Sequence, residues 1–160
     1  MSDFVIYALP VAEGILGIAP MPGRGGHWQD DLQHLADWKP ALVVSMTTVS
    51  EQVTHGLADM GAEIQDKGTR WIHLPVEDMG VPAQERIEEW HTASKTALAA
   101  LQGGGRVLIH CFGGCGRSGM AALRLMVEAG EEAEAALARL RSVRPCAVET
   151  DEQLQWARAG

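Results

Sequence analysis

Cys111 and Arg117 stand with five residues between them, inside a stretch from Val107 to Gly119 that reads VLIHCFGGCGRSG. An apolar, strand-like run precedes the thiol, and a helix-compatible run follows the guanidinium. A thiol attacks phosphorus as the thiolate, and backbone N–H donors, a helix N-terminus and a nearby cation all favour that charged form. Gly113, Gly114 and Gly116 let the chain curl until its N–H groups converge on an oxyanion, because glycine adopts the needed dihedrals without a Cβ clash. The helix that follows adds unpaired N–H groups and the positive end of its dipole. Arg117 can hold two oxygens of one phosphate while charge spreads in an in-line transition state, which a flexible lysine does less well. These residues suit transfer of a phosphoryl group to Cys111 and then to water, with Phe112, Gly113, Gly114, Cys115, Gly116 and Arg117 as the substrate cradle.

Such a reaction needs a group that protonates the leaving oxygen and later takes a proton from water. Asp78 is the candidate, since it follows an apolar run closely and lies between Pro75 and Pro82. Glu77, its neighbour, is the alternative acid. A solvated loop carboxylate would be the bland reading of Asp78 without the Cys111 segment.

The order His110, Cys111, five residues, Arg117, Ser118 resembles the signature of the protein-tyrosine and dual-specificity phosphatase superfamily. The segment 144–153, RPCAVETDEQ, is similar to the Arg-Pro-Gly-Ala stretch with a following glutamine in small phosphatases of the kinase-associated phosphatase group. The resemblance implies that Ser118 helps the Cys111 sulfur leave when the phosphoenzyme is hydrolysed. It implies that His110 orients the loop through hydrogen bonds, and it matches Asp78 to the family's aspartate in a proline-flanked loop. Gln153 lies near the hydrolytic water in some relatives, but Thr150 and Gln153 also spell a helix capping box, and that reading stands slightly ahead. Cys146 replaces a common glycine and receives no function. Cys115 could capture an oxidised Cys111 as a disulfide, or simply fill a loop position. The loop lacks the paired lysines of phosphoinositide phosphatases, and no Asn-Arg-Tyr phosphotyrosine clamp stands near the N-terminus. The implied activity is therefore that of a compact dual-specificity or tyrosine phosphatase acting on a phosphorylated protein.

Several elements must position these residues. Phe4–Leu9 and Gly14–Ala19 read as a hairpin about Pro10 and Gly14. Trp28, Leu32, Leu35 and Trp38 recur at helical spacing until Pro40. Ala41–Met46 is a strand, and a Ser50-initiated helix runs to about Met60, where Gly61 supplies a stop. Arg70–Leu74 is the next strand, followed by the Asp78 loop and a long helix from Gln84 to Leu101. Val107–His110 is a buried strand, and helices follow from Ser118, Glu131 and Thr150. Alternation of strands and helices implies one α/β domain over residues 1–160, with a mostly parallel sheet of about five strands flanked by helices.

Bulk properties narrow the alternatives. The 160 residues carry a formal net charge of −8, with 46% hydrophobic residues, so diffuse attraction to nucleic acid or an anionic membrane is opposed. No apolar run is long enough to span a bilayer and no basic leader precedes one, which implies a cytoplasmic protein. Three cysteines cannot pair completely, so reduced thiols are expected. A zinc site from His110, Cys111, Cys115 and Cys146 lacks paired ligand spacing, and no metal or other cofactor is implied. A rhodanese-like sulfurtransferase would have a shorter loop and no need of Asp78. A phosphopeptide-binding module with a dead site would usually have lost Cys111 or Asp78. The oligomeric state is left open.

Overall fold

The computed structural model describes residues Ser2–Gly160. The sheet is built from β1 (Tyr7–Val11), β2 (Gly14–Ala19), β3 (Leu42–Ser45), β4 (Arg70–His73) and β5 (Arg106–His110). Their order is β1-β2-β5-β3-β4, with β1 antiparallel to β2 and the other pairings parallel. The expected α/β fold, a mostly parallel sheet of about five strands flanked by helices, is observed, and the antiparallel β1 makes the sheet mixed.

Placing β5 between β2 and β3 buries the apolar strand that ends in Cys111. Leu16, Ile18, Val107 and Ile109 face one layer, formed by α4 (Ile87–Gln102), α5 (Gly116–Glu128) and α6 (Ala133–Val143). Val43 and Leu108 face the other, formed by α1 (Trp28–Asp37) and α3 (Met60–Asp66). Both faces being covered, the parallel strands read as continuous apolar runs. No helix among the described residues is long and apolar enough to cross a membrane.

Two local expectations need correction. Pro10 lies inside β1, paired with Ile15. An edge strand tolerates a residue with no N–H, and the turn falls instead at Ala12 and Glu13. The helix expected from Ser50 to Met60 is two helices. The first, α2 (Val49–Thr54), is capped by Thr48, whose side chain accepts from Glu51 N–H while Glu51 accepts from Thr48 N–H. Gly61 does not stop a helix but lies within α3, where a Cβ would fall 2.3 Å from the Trp71 ring. The glycine is there to admit the indole.

Candidate active site

The strands deliver their C-terminal ends to one edge, where a parallel sheet that reverses its strand order opens a crevice. β5 ends in His110 and leads to Cys111, β3 leads to Met46 and the Thr48 cap, and β4 leads through Leu74 to the Asp78 loop. Cys111 is buried, with Sγ 3.2 Å from the Ser118 Oγ in the first turn of α5. Gly114 takes φ +75°, and a Cβ there would fall 2.6 Å from Pro20 N. Only glycine lets the loop pass so close to the end of β2. At Gly116 a Cβ would meet the Glu149 carboxylate at 2.4 Å. Gly113 has open space and needs no such freedom.

His110 is fully buried. Its Nδ1 donates to the Cys111 carbonyl at 3.1 Å, leaving Nε2 to accept from the Ser45 hydroxyl, which itself accepts from Trp71 Nε1 at 2.8 Å. Burial pushes the imidazole down to about 4, so the ring is neutral at pH 7 and this chain fixes its tautomer.

Arg117 is 1% exposed. Its Nη1 donates to Glu51 at 2.6 Å and to the Val76 carbonyl at 2.9 Å, and its Nη2 donates to the other Glu51 oxygen at 2.9 Å. The Nε has no acceptor among the described residues. Burial opposes the Arg117 charge, but Glu51, Cys111 and Asp78 together hold its pKa above the usual arginine value. Burial likewise pushes the Glu51 carboxyl up, and hydrogen bonds from Arg117 and Thr48 outweigh it, so the net shift is downward. Asp78 stands at the rim with its side chain 71% exposed and Oδ1 3.6 Å from Arg117 Nη2. Glu77 is exposed beside it.

Gln153 is buried, and both expectations for it meet in one geometry. It completes the capping box of α7 (Asp151–Arg158) with Thr150. Its Nε2 also donates to the Gly80 carbonyl in the Asp78 loop at 3.2 Å, and its side chain lies 3.1 Å from where a Gly116 Cβ would be.

The cysteines overturn an expectation. Cys115 and Cys146 form a disulfide across 31 residues, leaving Cys111 as the free thiol among the described residues. Cys115 is therefore not the resolving partner of Cys111, and the reading of all three thiols as reduced does not hold. The phosphate-loop cysteine and the one replacing a common glycine meet because the 144–148 segment packs behind the loop, a contact no spacing rule reveals. Sequence reasoning also missed Glu51. Its signal was the Thr48-Val-Ser-Glu51 capping box just after β3, which the choice of Ser50 as helix start concealed.

Residues 21–159 match the family described as "PTP-SAK: Swiss Army Knife protein, DSP-PTPase phosphatase domain". The chain belongs to this family of cysteine phosphatases. Among solved structures, kinase associated phosphatase with serine in place of its catalytic-site cysteine is similar over 98% of this chain and 93% of that one, at 22% identity and TM-score 0.87. Tk-PTP in its active form is 28% identical over 90% of this chain and 89% of that one, at TM-score 0.73. PTPMT1 in complex with PI(5)P is 18% identical over 96% and 93%, at TM-score 0.76. No curated protein sequence matches the chain. Membership in the dual-specificity phosphatase domain family makes phosphorylated compounds the substrates.

Proposed function

We propose that the chain is a phosphoprotein phosphatase working through a phosphocysteine on Cys111. The observation that carries this reading is the Arg117 Nε, a donor on a buried guanidinium with no acceptor among the described residues. Leaving a buried donor unpaired costs on the order of 1–3 kcal/mol, and an oxyanion held in the loop removes that cost.

In the first step the Cys111 thiolate attacks phosphorus in line, forming an S–P bond as the P–O bond to the leaving group breaks. Asp78 gives its proton to the departing oxygen. In the second step water attacks the phosphocysteine, Asp78 takes its proton, and the S–P bond breaks to return the Cys111 thiolate and inorganic phosphate. The Ser118 hydroxyl, 3.2 Å from Sγ, stabilises the sulfur as it regains charge. Phosphate oxygens bind to Arg117 and to the N–H groups of residues 112–117. His110 and Gln153 support the loop without touching the reacting atoms.

A protein monoester suits the surroundings better than a polyphosphorylated headgroup. Arg24 is paired with Asp3, Arg117 with Glu51, and Arg144 is spent on loop carbonyls. A second phosphate at the Asp78 rim would meet the carboxylates of Glu51, Asp78 and Glu77.

The test is hydrolysis of a small aryl phosphate and of phosphopeptides, with a phosphoinositide alongside, by wild type and Cys111→Ser. Turnover in the presence of a chelator, inhibition by vanadate, and its loss in Cys111→Ser are expected. Undiminished turnover by Cys111→Ser would refute the mechanism. Faster turnover of the phosphoinositide would refute the substrate class, and phosphopeptide binding without turnover would make the chain a binding module.

A further inference from the structure

A phosphate loop works only if its peptide N–H groups face the anion, so something must hold its carbonyls the other way. In a trans peptide the C=O of one residue and the N–H of the next point in opposite directions. Pinning a carbonyl outward therefore aims the following N–H inward.

The Phe112 carbonyl accepts from Met21 N–H at 3.0 Å and from Arg24 at 3.1 Å. The Cys115 carbonyl accepts from Val148 N–H at 3.1 Å and Gly119 N–H at 3.0 Å. The two peptides between them depend on one side chain. Arg144 Nε donates to the Gly114 carbonyl at 3.1 Å, and its Nη2 donates to the Gly113 carbonyl at 3.0 Å. The N–H groups of Gly113, Gly114, Cys115 and Gly116 have no acceptor among the described residues, as donors reserved for a ligand would.

We propose that Arg144 is a positioning residue for phosphate binding and transition-state stabilisation. By gripping two successive carbonyls from behind, it aims the N–H groups of Gly114 and Cys115 at the phosphate. Its own placement is over-determined. The guanidinium carbon lies 4.2 Å from the centre of the Tyr7 ring, a cation–π distance. Two residues on, Cys146 is bonded to Cys115. The arginine stacked on an edge strand thus braces the centre of the loop, and the disulfide ties the same segment to the loop's end. A lysine could reach only one carbonyl well, because two near-parallel donors are a property of the guanidinium fork.

This inference rests on the phosphatase reading, and the experiment separates the two. Full-length wild type, Arg144→Met and Arg144→Lys are assayed with an aryl phosphate, with vanadate as a second, non-reacting probe. Temperatures are kept well below each protein's unfolding midpoint, and the disulfide is verified by mass. An inert wild type would refute the phosphatase reading itself. With an active wild type, Arg144→Met should lower kcat/KM by about 10- to 100-fold, the scale of losing one preorganised oxyanion donor or somewhat less. The vanadate inhibition constant should rise by a similar factor, and Arg144→Lys should fall between. A merely structural role would lower the unfolding midpoint and leave both constants of the folded protein unchanged, which would overturn the proposal. If Arg144→Met does not fold, wild-type values of both constants in Arg144→Lys would overturn it equally.

Discussion

Replacing Glu51 by glutamine tests whether Arg117 is held in place or merely present. The carboxylate gives each of its oxygens to one Arg117 nitrogen, at 2.6 and 2.9 Å, and accepts Thr48 N–H at 2.9 Å as half of the α2 capping box. Glutamine keeps one acceptor but turns an NH2 group toward the guanidinium, so one bond is lost and a donor faces a donor. Removing one partner of a fully buried pair costs about 3–5 kcal/mol. Glu51 is 24% exposed and glutamine retains an acceptor, which brings the expected loss to about 2 kcal/mol. Because folding depresses the Glu51 pKa, its stabilisation is fully present above its unfolded value near 4.5 and disappears as pH falls through the lower folded value. Denaturant unfolding of wild type and Glu51→Gln should therefore differ most near pH 7 and converge in acid. In parallel, kcat/KM for an aryl phosphate should drop about 100-fold, the scale of a catalytic group displaced by about 1 Å. A stability difference below about 0.5 kcal/mol at pH 7, with kcat/KM unchanged, would refute the view that Glu51 fixes the phosphate-binding arginine.

Asp78→Ala should slow hydrolysis of esters with poor leaving groups far more than activated aryl esters, since good leaving groups need little protonation; an equal loss on both, or a larger effect of Glu77→Ala, would move the proton to another residue. His110 is neutral in the fold, with its pKa pushed down to about 4 from 6.5 by burial, so the unfolded chain binds the extra proton between those values. Its contribution to stability should be lost as pH falls from 6.5 toward 4, by about 1.4 kcal/mol per unit at most, and His110→Asn should remove that part of the slope measured by denaturant unfolding. An identical slope in the variant would show that the imidazole is charged or solvated.

The sheet and the Cys111–Arg117 loop were legible because each rests on local pattern. Apolar runs bounded by glycine and proline give the strands, and a thiol, glycines and a guanidinium in one short segment give the anion cradle. What escaped was long-range. Arg117 meets Glu51 only because β3 lies beside β5, so a residue on the turn after one strand faces the helix after another. Arg144 was visible as part of a family-like segment, but its grip on Gly113 and Gly114 requires the 144–148 backbone to fold behind the loop. The disulfide escaped for the same reason, and the odd number of cysteines pointed toward free thiols when it allowed one pair and one nucleophile. Pro10 misled because a breaker in an interior strand is an ordinary residue at an edge.

In the proposed mechanism one aspartate serves both steps, and the charges around Arg117 bear on how it could. Glu51 takes the Nη1 and Nη2 atoms from one side, while Asp78 approaches Nη2 at 3.6 Å and Nε has no acceptor among the described residues. A phosphate binding bidentately would use Nε, which lacks an acceptor among the described residues, and Nη2, which Asp78 approaches. Ligand and acid therefore compete for the same donor. Glu51 keeps the guanidinium from following Asp78 when that competition is decided, because its two short bonds hold the plane fixed. In the proposed mechanism the phosphate takes that donor from Asp78, whose side chain is 71% exposed on its loop. Gln153 is bonded to Gly80 of that loop and to the Thr150 N–H, which ties the loop to the cap of α7. The proposed mechanism asks for a fixed arginine and an aspartate free to move, and the exposures of the two side chains, 1% against 71%, divide them in that sense.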